Sequence, residues 1–223
     1  MATPVPLSIE LAARYLRYSN FTSSEYEPFS YEDAVRCADF YEDAQNNLAE
    51  PAIQVSYEIF KDHLVRQFIL MKNNGIECVD GKGEFDYSSS EELREDMRQG
   101  QIIYLPTYSN QGSSSEIPEM HPLAGHVKIG GVRYCYNDIF RIVHDFYGHG
   151  PGHSFSPKGE HEAWNAHRLM LPQEAHLALW CGTRAQSSWV NFGRHIRESE
   201  TFIPPYERPF APQKVVVPPF DLI

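Results

Sequence analysis

The chain has 223 residues, with 19 Lys and Arg against 30 Asp and Glu, which sets a formal net charge of −11. Neutralising a run of phosphates takes a surplus of cationic side chains, so extended nucleic-acid binding is excluded. Hydrophobic residues make up 42% and aromatics 13%, which excludes global disorder and makes one domain the expectation.

Charges interrupt every apolar stretch within a few residues, and Met1-Ala2-Thr3-Pro4 is followed by no basic and then apolar leader pattern. Neither a membrane span nor a secretory signal is expected, and the chain reads as cytoplasmic. Cys37, Cys78, Cys135 and Cys181 match no zinc-knuckle or CxxC spacing and read as free thiols.

In chain order, Leu7, Leu11, Ala12, Tyr15 and Leu16 have helical spacing. A second helix is predicted over Tyr31 to Glu50, with Ser30 as N-cap and Val35, Ala38, Phe40, Tyr41 and Leu48 as its apolar positions. Pro51 opens a third, carrying Val55, Ile59, His63, Phe68 and Leu70, which Asn73-Asn74-Gly75 ends. Ile76 to Val79 and Gln101 to Leu105 read as short strands around a polar helix opened by Ser90-Glu91-Glu92-Leu93. From Pro106 to Gly131 the composition predicts a long surface loop, mobile at Ser113-Ser114-Ser115, with His121 and His126 as weak site candidates. Asn137-Asp138 starts a helix that the glycines from Gly148 break. Ser156-Pro157 opens another to about Leu171, and Pro172 opens one that Gly182 closes. Six of the sixteen prolines fall in the last 20 residues, so the tail is extended, and Val215-Val216-Val217 predicts that it packs back onto the body.

The expected fold is a mostly helical α+β single domain. It divides into a helical scaffold (1–75), short strands and a loop (76–131), a helical core for a metal site (132–200) and a Pro-rich wrapping tail (201–223).

Ten histidines spread evenly would place about 1.5 in any window of 33 residues, yet 144 to 176 holds six of them. Neutral imidazole is the commonest metal ligand, and two imidazoles with a carboxylate can hold a divalent ion while leaving positions open. His144 and His149 are the expected pair. Five residues on an α-helix turn through roughly 140°, so the glycines beside His149 are expected to fray the helix and let it turn back. On an intact helix Asp145 pairs with His149 instead. Glu160 and His167, two helical turns apart, share a face; Glu160 is the favoured carboxylate, with Asp145, Glu162 and Glu174 as alternatives. Asp145 and His167 are candidate catalytic groups. His153, His161, His176 and His195 read as surface or supporting residues. Trp164 and Trp189 are expected to shape a pocket in which Arg184 holds an anion and Gln186, Ser188 and Asn191 orient a polar substrate. The other reading of that last segment is a polar network bracing a helix.

The run His144-Asp145-x-x-Gly148-His149-x-Pro151 resembles the iron-binding motif of the pterin-dependent aromatic amino acid hydroxylases. That resemblance implies a non-haem Fe(II) centre with His144 and His149 as two ligands and a pterin or another reductant, although Phe140-Arg141 stands where that family has Pro-Asp. The same residues with His153 and Gly159-Glu160-His161 are similar to HD-domain deoxynucleotide triphosphohydrolases, which implies His144 and Asp145 as a metal dyad with His63 upstream. From about Asn137 to Pro219, Val143-His144-Asp145, Ala163-Trp164, His167, Thr183-Arg184, Gln186 and Ser188-Trp189-Val190-Asn191 resemble a widespread uncharacterised family encoded by tailed phages, implying a viral setting.

The expected function is therefore a mononuclear non-haem Fe(II) oxygenase or hydroxylase acting on a small polar anionic substrate, with Mn or Zn as other metals. The alternatives are a divalent-metal phosphohydrolase of nucleotides and a non-enzymatic phage-associated structural or interaction protein.

Overall fold

The computed structural model describes residues 5–22, 24–82, 87–107 and 117–223, and within it the chain is mostly helical with two small sheets. The predicted mobile stretch Ser113-Ser114-Ser115 lies outside the described residues.

Helix α3 (Pro51–Asn73) organises the core, packing against α1 (Leu7–Tyr18), α5 (Tyr136–His144) and α7 (His176–Gly182). Its buried stripe is Ile53, Tyr57, Phe60, Leu64, Phe68 and Met71, three or four residues apart, as one face of a helix requires. Burying each such side chain contributes about 1.5–3 kcal/mol. The predicted face was rotated from this one: Val55 is 54% exposed, and Ile59 and Leu70 are only partly buried.

Helix α2 (Tyr31–Asp43) is capped as predicted, the Ser30 hydroxyl accepting from the Asp33 amide at 3.2 Å. It stops seven residues short of Glu50. Ala44 is extended, and the freed Asn46 and Asn47 pair with the C-terminal tail, at 2.6 Å from the Val215 amide to Asn46 Oδ1 and 3.0 Å from the Asn47 amide to the Val215 carbonyl.

Strands β1 (Glu77–Asp80) and β2 (Gln101–Tyr104) pair in parallel around α4 (Ser90–Arg98). The predicted loop ending at Gly131 is corrected at its end. His126–Ile129 (β3) and Val132–Cys135 (β4) form an antiparallel hairpin. Gly130 and Gly131 make its turn at φ +57° and +88°, where both central positions need left-handed backbone.

Helix α6 (Pro157–Arg168) begins with Ser156 accepting from the Gly159 amide at 3.1 Å and ends three residues before Leu171. After α7, the segment 184–192 is itself a helix, α8 (Arg184–Phe192), packed on α2, and a short α9 (Arg194–Arg197) follows. The tail folds back, with Val215 and Val216 buried and Val217 42% exposed. The four cysteines are free. Among the described residues, no helix is long and apolar enough to cross a membrane.

Candidate metal centre

Helix α5 ends at His144, and the chain continues without a break into a π turn, Asp145–His149. The Gly150 amide bonds the Asp145 carbonyl at 3.0 Å, five residues back. This register, rather than fraying, brings the two histidines together. Bonding at i→i+5 widens the turn, so residues five apart return to one side, and the two imidazole centroids lie 5.4 Å apart. Gly148 is needed for the close approach of α6: a Cβ there would meet the Ala163 carbonyl oxygen at 3.0 Å and His144 Cε1 at 3.2 Å.

Glu160 comes from the first turn of α6. With Ser156 making the cap, its carboxylate faces the π turn, and Glu160 Oε2 lies 3.6 Å from His149 Nε2. One ligand atom each from His144, His149 and Glu160 all lie within 4.8 Å of one another. Neighbouring ligands of an ion held at about 2.1 Å lie about 3.0–3.4 Å apart, so closure on a metal needs these atoms to approach one another by at most about 1.4–1.8 Å.

The hydrogen bonds behind the histidines fix their tautomers. Gln67 Nε2 donates to the Met170 carbonyl at 3.1 Å, which leaves its Oε1 facing His167 Nε2 at 3.0 Å. A carbonyl oxygen only accepts, so the proton sits on His167 Nε2. Full burial pushes the His167 pKa down to about 3, so the ring is neutral and its Nδ1 is bare. It therefore accepts from His144 Nδ1 at 3.4 Å. That leaves a lone pair on His144 Nε2, a buried atom with no hydrogen-bond partner. His149 Nδ1 donates to the His153 carbonyl at 3.1 Å, which turns the lone pair of its Nε2 towards Glu160.

Two imidazoles and a carboxylate thus converge, with His144 Nε2 left without a partner. A divalent cation satisfies all three, and bonding of the far ring nitrogen to a carbonyl or a second ring is what ligating histidines show. Burial, then the charges of His149 and His167, hold the His144 pKa well below the usual range. For His149 burial opposes the charged form, but Glu160, Asp145 and the His153 carbonyl outweigh it and raise the pKa.

The centre opens into a pocket of about 440 Å³, within the range of small-molecule sites. Asp145, Gln186 and Asn191 line it. His167 does not: it is fully buried behind His144, so it is a positioning residue rather than a catalytic one. Arg184 is also elsewhere. It is ion-paired with Glu27 and stacked on Trp164, on which Arg168 also stacks, with ring-to-guanidinium distances of 4.6 and 4.7 Å. Trp164 is wholly buried, Ser188 lines a separate small cavity with Arg184, and Trp189 binds Glu42 and packs on His195. None of these four lines the pocket, whereas Gln186 and Asn191 of the same segment as Arg184 do.

The pocket's cations are instead Arg141 and Arg208, which the sequence did not single out. Among the carboxylate alternatives, Glu162 binds His153 and Lys158, and Glu174 lines another cavity. His63, the upstream ligand implied by the phosphohydrolase resemblance, lines that other cavity and bonds the Tyr15 hydroxyl at 2.7 Å. His126 lies on β3, and His121 is buried beside Tyr57 in a smaller cavity.

Gln67 offers a direct test of the relay. Gln67→Leu removes both of its side-chain bonds and frees His167 to take the other tautomer. Divalent-metal affinity is expected to fall by about 10–100-fold in competition with a chelating dye, with the helical circular-dichroism spectrum retained. Unchanged affinity would show that His144 is aimed without the relay.

No protein-family model, curated protein or solved structure matches this chain.

Proposed function

We propose that the chain is a mononuclear non-haem Fe(II) oxygenase or hydroxylase acting on a small polar anionic substrate. The observation that carries this reading is the buried, unpartnered His144 Nε2, converging with His149 and Glu160 at the wall of a pocket. Two imidazoles and one carboxylate form the donor set that suits Fe(II) while leaving coordination positions open, and the local likeness to the pterin-dependent hydroxylases points the same way. Bound iron would supply activation of O2.

The protein's own groups supply the rest. Phe155 packs edge-on against His149, with centroids 4.7 Å apart, and keeps water from that side of the ligand. Phe140 forms a second apolar wall, while Thr183 and Ser187 offer hydroxyl groups that orient a polar substrate and Asn191 holds Arg208. The HD-type phosphohydrolase gains no support from the geometry, because Asp145 stands outside the converging set and His63 lines a different cavity.

Protein purified without oxygen is expected to hold about one Fe(II) per chain with open positions, giving a ferrous-nitrosyl EPR signal on addition of nitric oxide. Tightly held zinc that admits no exogenous ligand would overturn the oxygenase reading.

A further inference from the structure

The lining of the pocket carries more information than its volume. Its charged groups, among the described residues, are Arg141, Arg208, Asp145 and Glu160. The two guanidiniums balance the two carboxylates, so a divalent ion at the histidines leaves two surplus positive charges. In a chain of net charge −11 that local surplus stands out, since most described arginines near carboxylates are paired with them.

Neither pocket arginine has a carboxylate within ion-pairing distance among the described residues. Arg141 gives one N–H to the Leu105 carbonyl at 3.2 Å. Arg208 gives one to the Ile203 carbonyl at 3.2 Å and one to Asn191 Oδ1 at 2.5 Å. A guanidinium has five N–H donors, so each keeps several for a ligand after being held in place by the bonds it has made. Arg141 is presented by α5, three residues before His144, and Arg208 by the C-terminal tail.

The tail does more than deliver a charge. Pro205, Arg208, Phe210, Ala211 and Gln213 together form one wall of the pocket. That wall is anchored by reciprocal amide bonds of Gln213 with Gln186 at 3.1 and 3.2 Å, and by the Tyr41 hydroxyl donating to the Pro212 carbonyl. Beside the charges and the polar Thr183, Gln186, Ser187 and Asn191, the lining carries four large apolar side chains, Phe140, Phe155, Val190 and Phe210.

We infer that the ligand of this pocket is a small dicarboxylate with an apolar spine, gripped by Arg141 and by Arg208 of the C-terminal tail. The inference rests on the metal-centre reading for its charge balance, but the two arginines are present with or without a metal. Guanidinium forks match planar carboxylates in two-point contact, and the four large apolar side chains of the same lining suit a hydrocarbon chain better than a compact, fully hydrated anion.

Adipate, hexanoate and inorganic phosphate serve as probes, titrated calorimetrically into the full chain, both loaded with Co(II) and stripped by chelator. Adipate is expected to bind the loaded protein at least about tenfold more tightly than hexanoate, and R141Q and R208Q are each expected to weaken adipate by roughly 10–100-fold, as loss of a charged hydrogen bond does. The Co(II) absorption spectrum of both variants should match the parent's, which a collapsed pocket would not allow. Stripped protein that still prefers adipate through the arginines supports the inference even if no iron centre exists, so the two readings fail separately. Equal binding of adipate and hexanoate, displacement of adipate by phosphate at matching concentration, or full adipate affinity in both variants would overturn it.

Discussion

Glu160→Gln and His149→Ala are each expected to lower divalent-metal affinity by more than the ~100-fold that loss of an outer partner costs. Each removes one of the three donors that converge among the described residues. Glu160 is a quarter exposed on its side chain and His149 keeps a single backbone partner, so neither replacement should unfold the chain. The consequence for stability follows from mass action. A ligand at a thousand times its dissociation constant stabilises the folded state by about 4 kcal/mol, and for a chain of this size each kcal/mol moves Tm by about 2–4 °C. Saturating metal should therefore raise the Tm of the parent by about 8–16 °C and leave both variants almost unmoved. Glu162→Gln is the contrasting control. It lies on the same helix two residues on, but its carboxylate engages His153 and Lys158, and its metal response should equal the parent's. A parent Tm indifferent to Fe(II), Co(II), Mn(II) and Zn(II), or a Glu162→Gln defect as large as that of Glu160→Gln, would remove the proposed centre.

The elements of the centre were legible because they are local. His144 and His149 are read directly from their spacing, and Glu160 from its place on a capped helix that Ser156-Pro157 announces. The π turn that joins the two histidines was not legible. Its register depends on Gly148 lying against Ala163 and on Gly150 fitting beside Met97 and Ser8, contacts that the sequence of residues 144 to 150 does not contain. The relay was invisible for the same reason, since Gln67 lies 100 residues from His167 and reads simply as a polar position in a long helix.

Arg184 shows the converse error. Its neighbours in sequence are polar, which suggested a ligand clamp, but Glu27, 157 residues away, occupies it. A cation's availability is decided by which carboxylate the fold brings to it, and no local pattern reports that. Arg141 and Arg208 become candidates only once the fold has left them unpaired at one pocket. The hairpin was different: Gly130-Gly131 between Val127, Ile129, Val132 and Tyr134 has the two-residue turn and the alternation of paired strands, and the Ser- and Gly-rich stretch before it drew the boundary too far along. The end of α2 could not be read, because Asn46 and Asn47 leave the helix to bond a tail residue about 170 positions downstream.

Acid should unfold this protein through its buried histidines, and His121 is the one whose contribution can be isolated. The Leu123 amide donates to His121 Nδ1 at 3.2 Å, so this nitrogen must carry a lone pair, and protonation would set a donor against a donor. The ring is buried edge-on to Tyr57, and burial lowers its pKa from 6.5 to about 4. Because the folded pKa lies below the unfolded one, the unfolded chain takes up the proton first as the pH falls. The stability tied to neutral His121 is thus fully present above about pH 6.5 and is lost progressively towards pH 4, amounting to on the order of 3 kcal/mol. His63, His161, His176 and His195 are shifted in the same direction, each mainly by burial, so the whole chain should lose stability steeply across that window. His121→Asn places an amide oxygen where it can accept from the Leu123 amide and has no proton to gain. It should be less stable than the parent at neutral pH, for the volume and the neutral ring removed, and should decline less steeply as the pH falls. Urea unfolding of both proteins between pH 7.5 and pH 4.5 measures this directly: the free-energy gap between parent and variant should narrow as the pH falls, and two parallel curves would show that His121 is not held neutral by the fold.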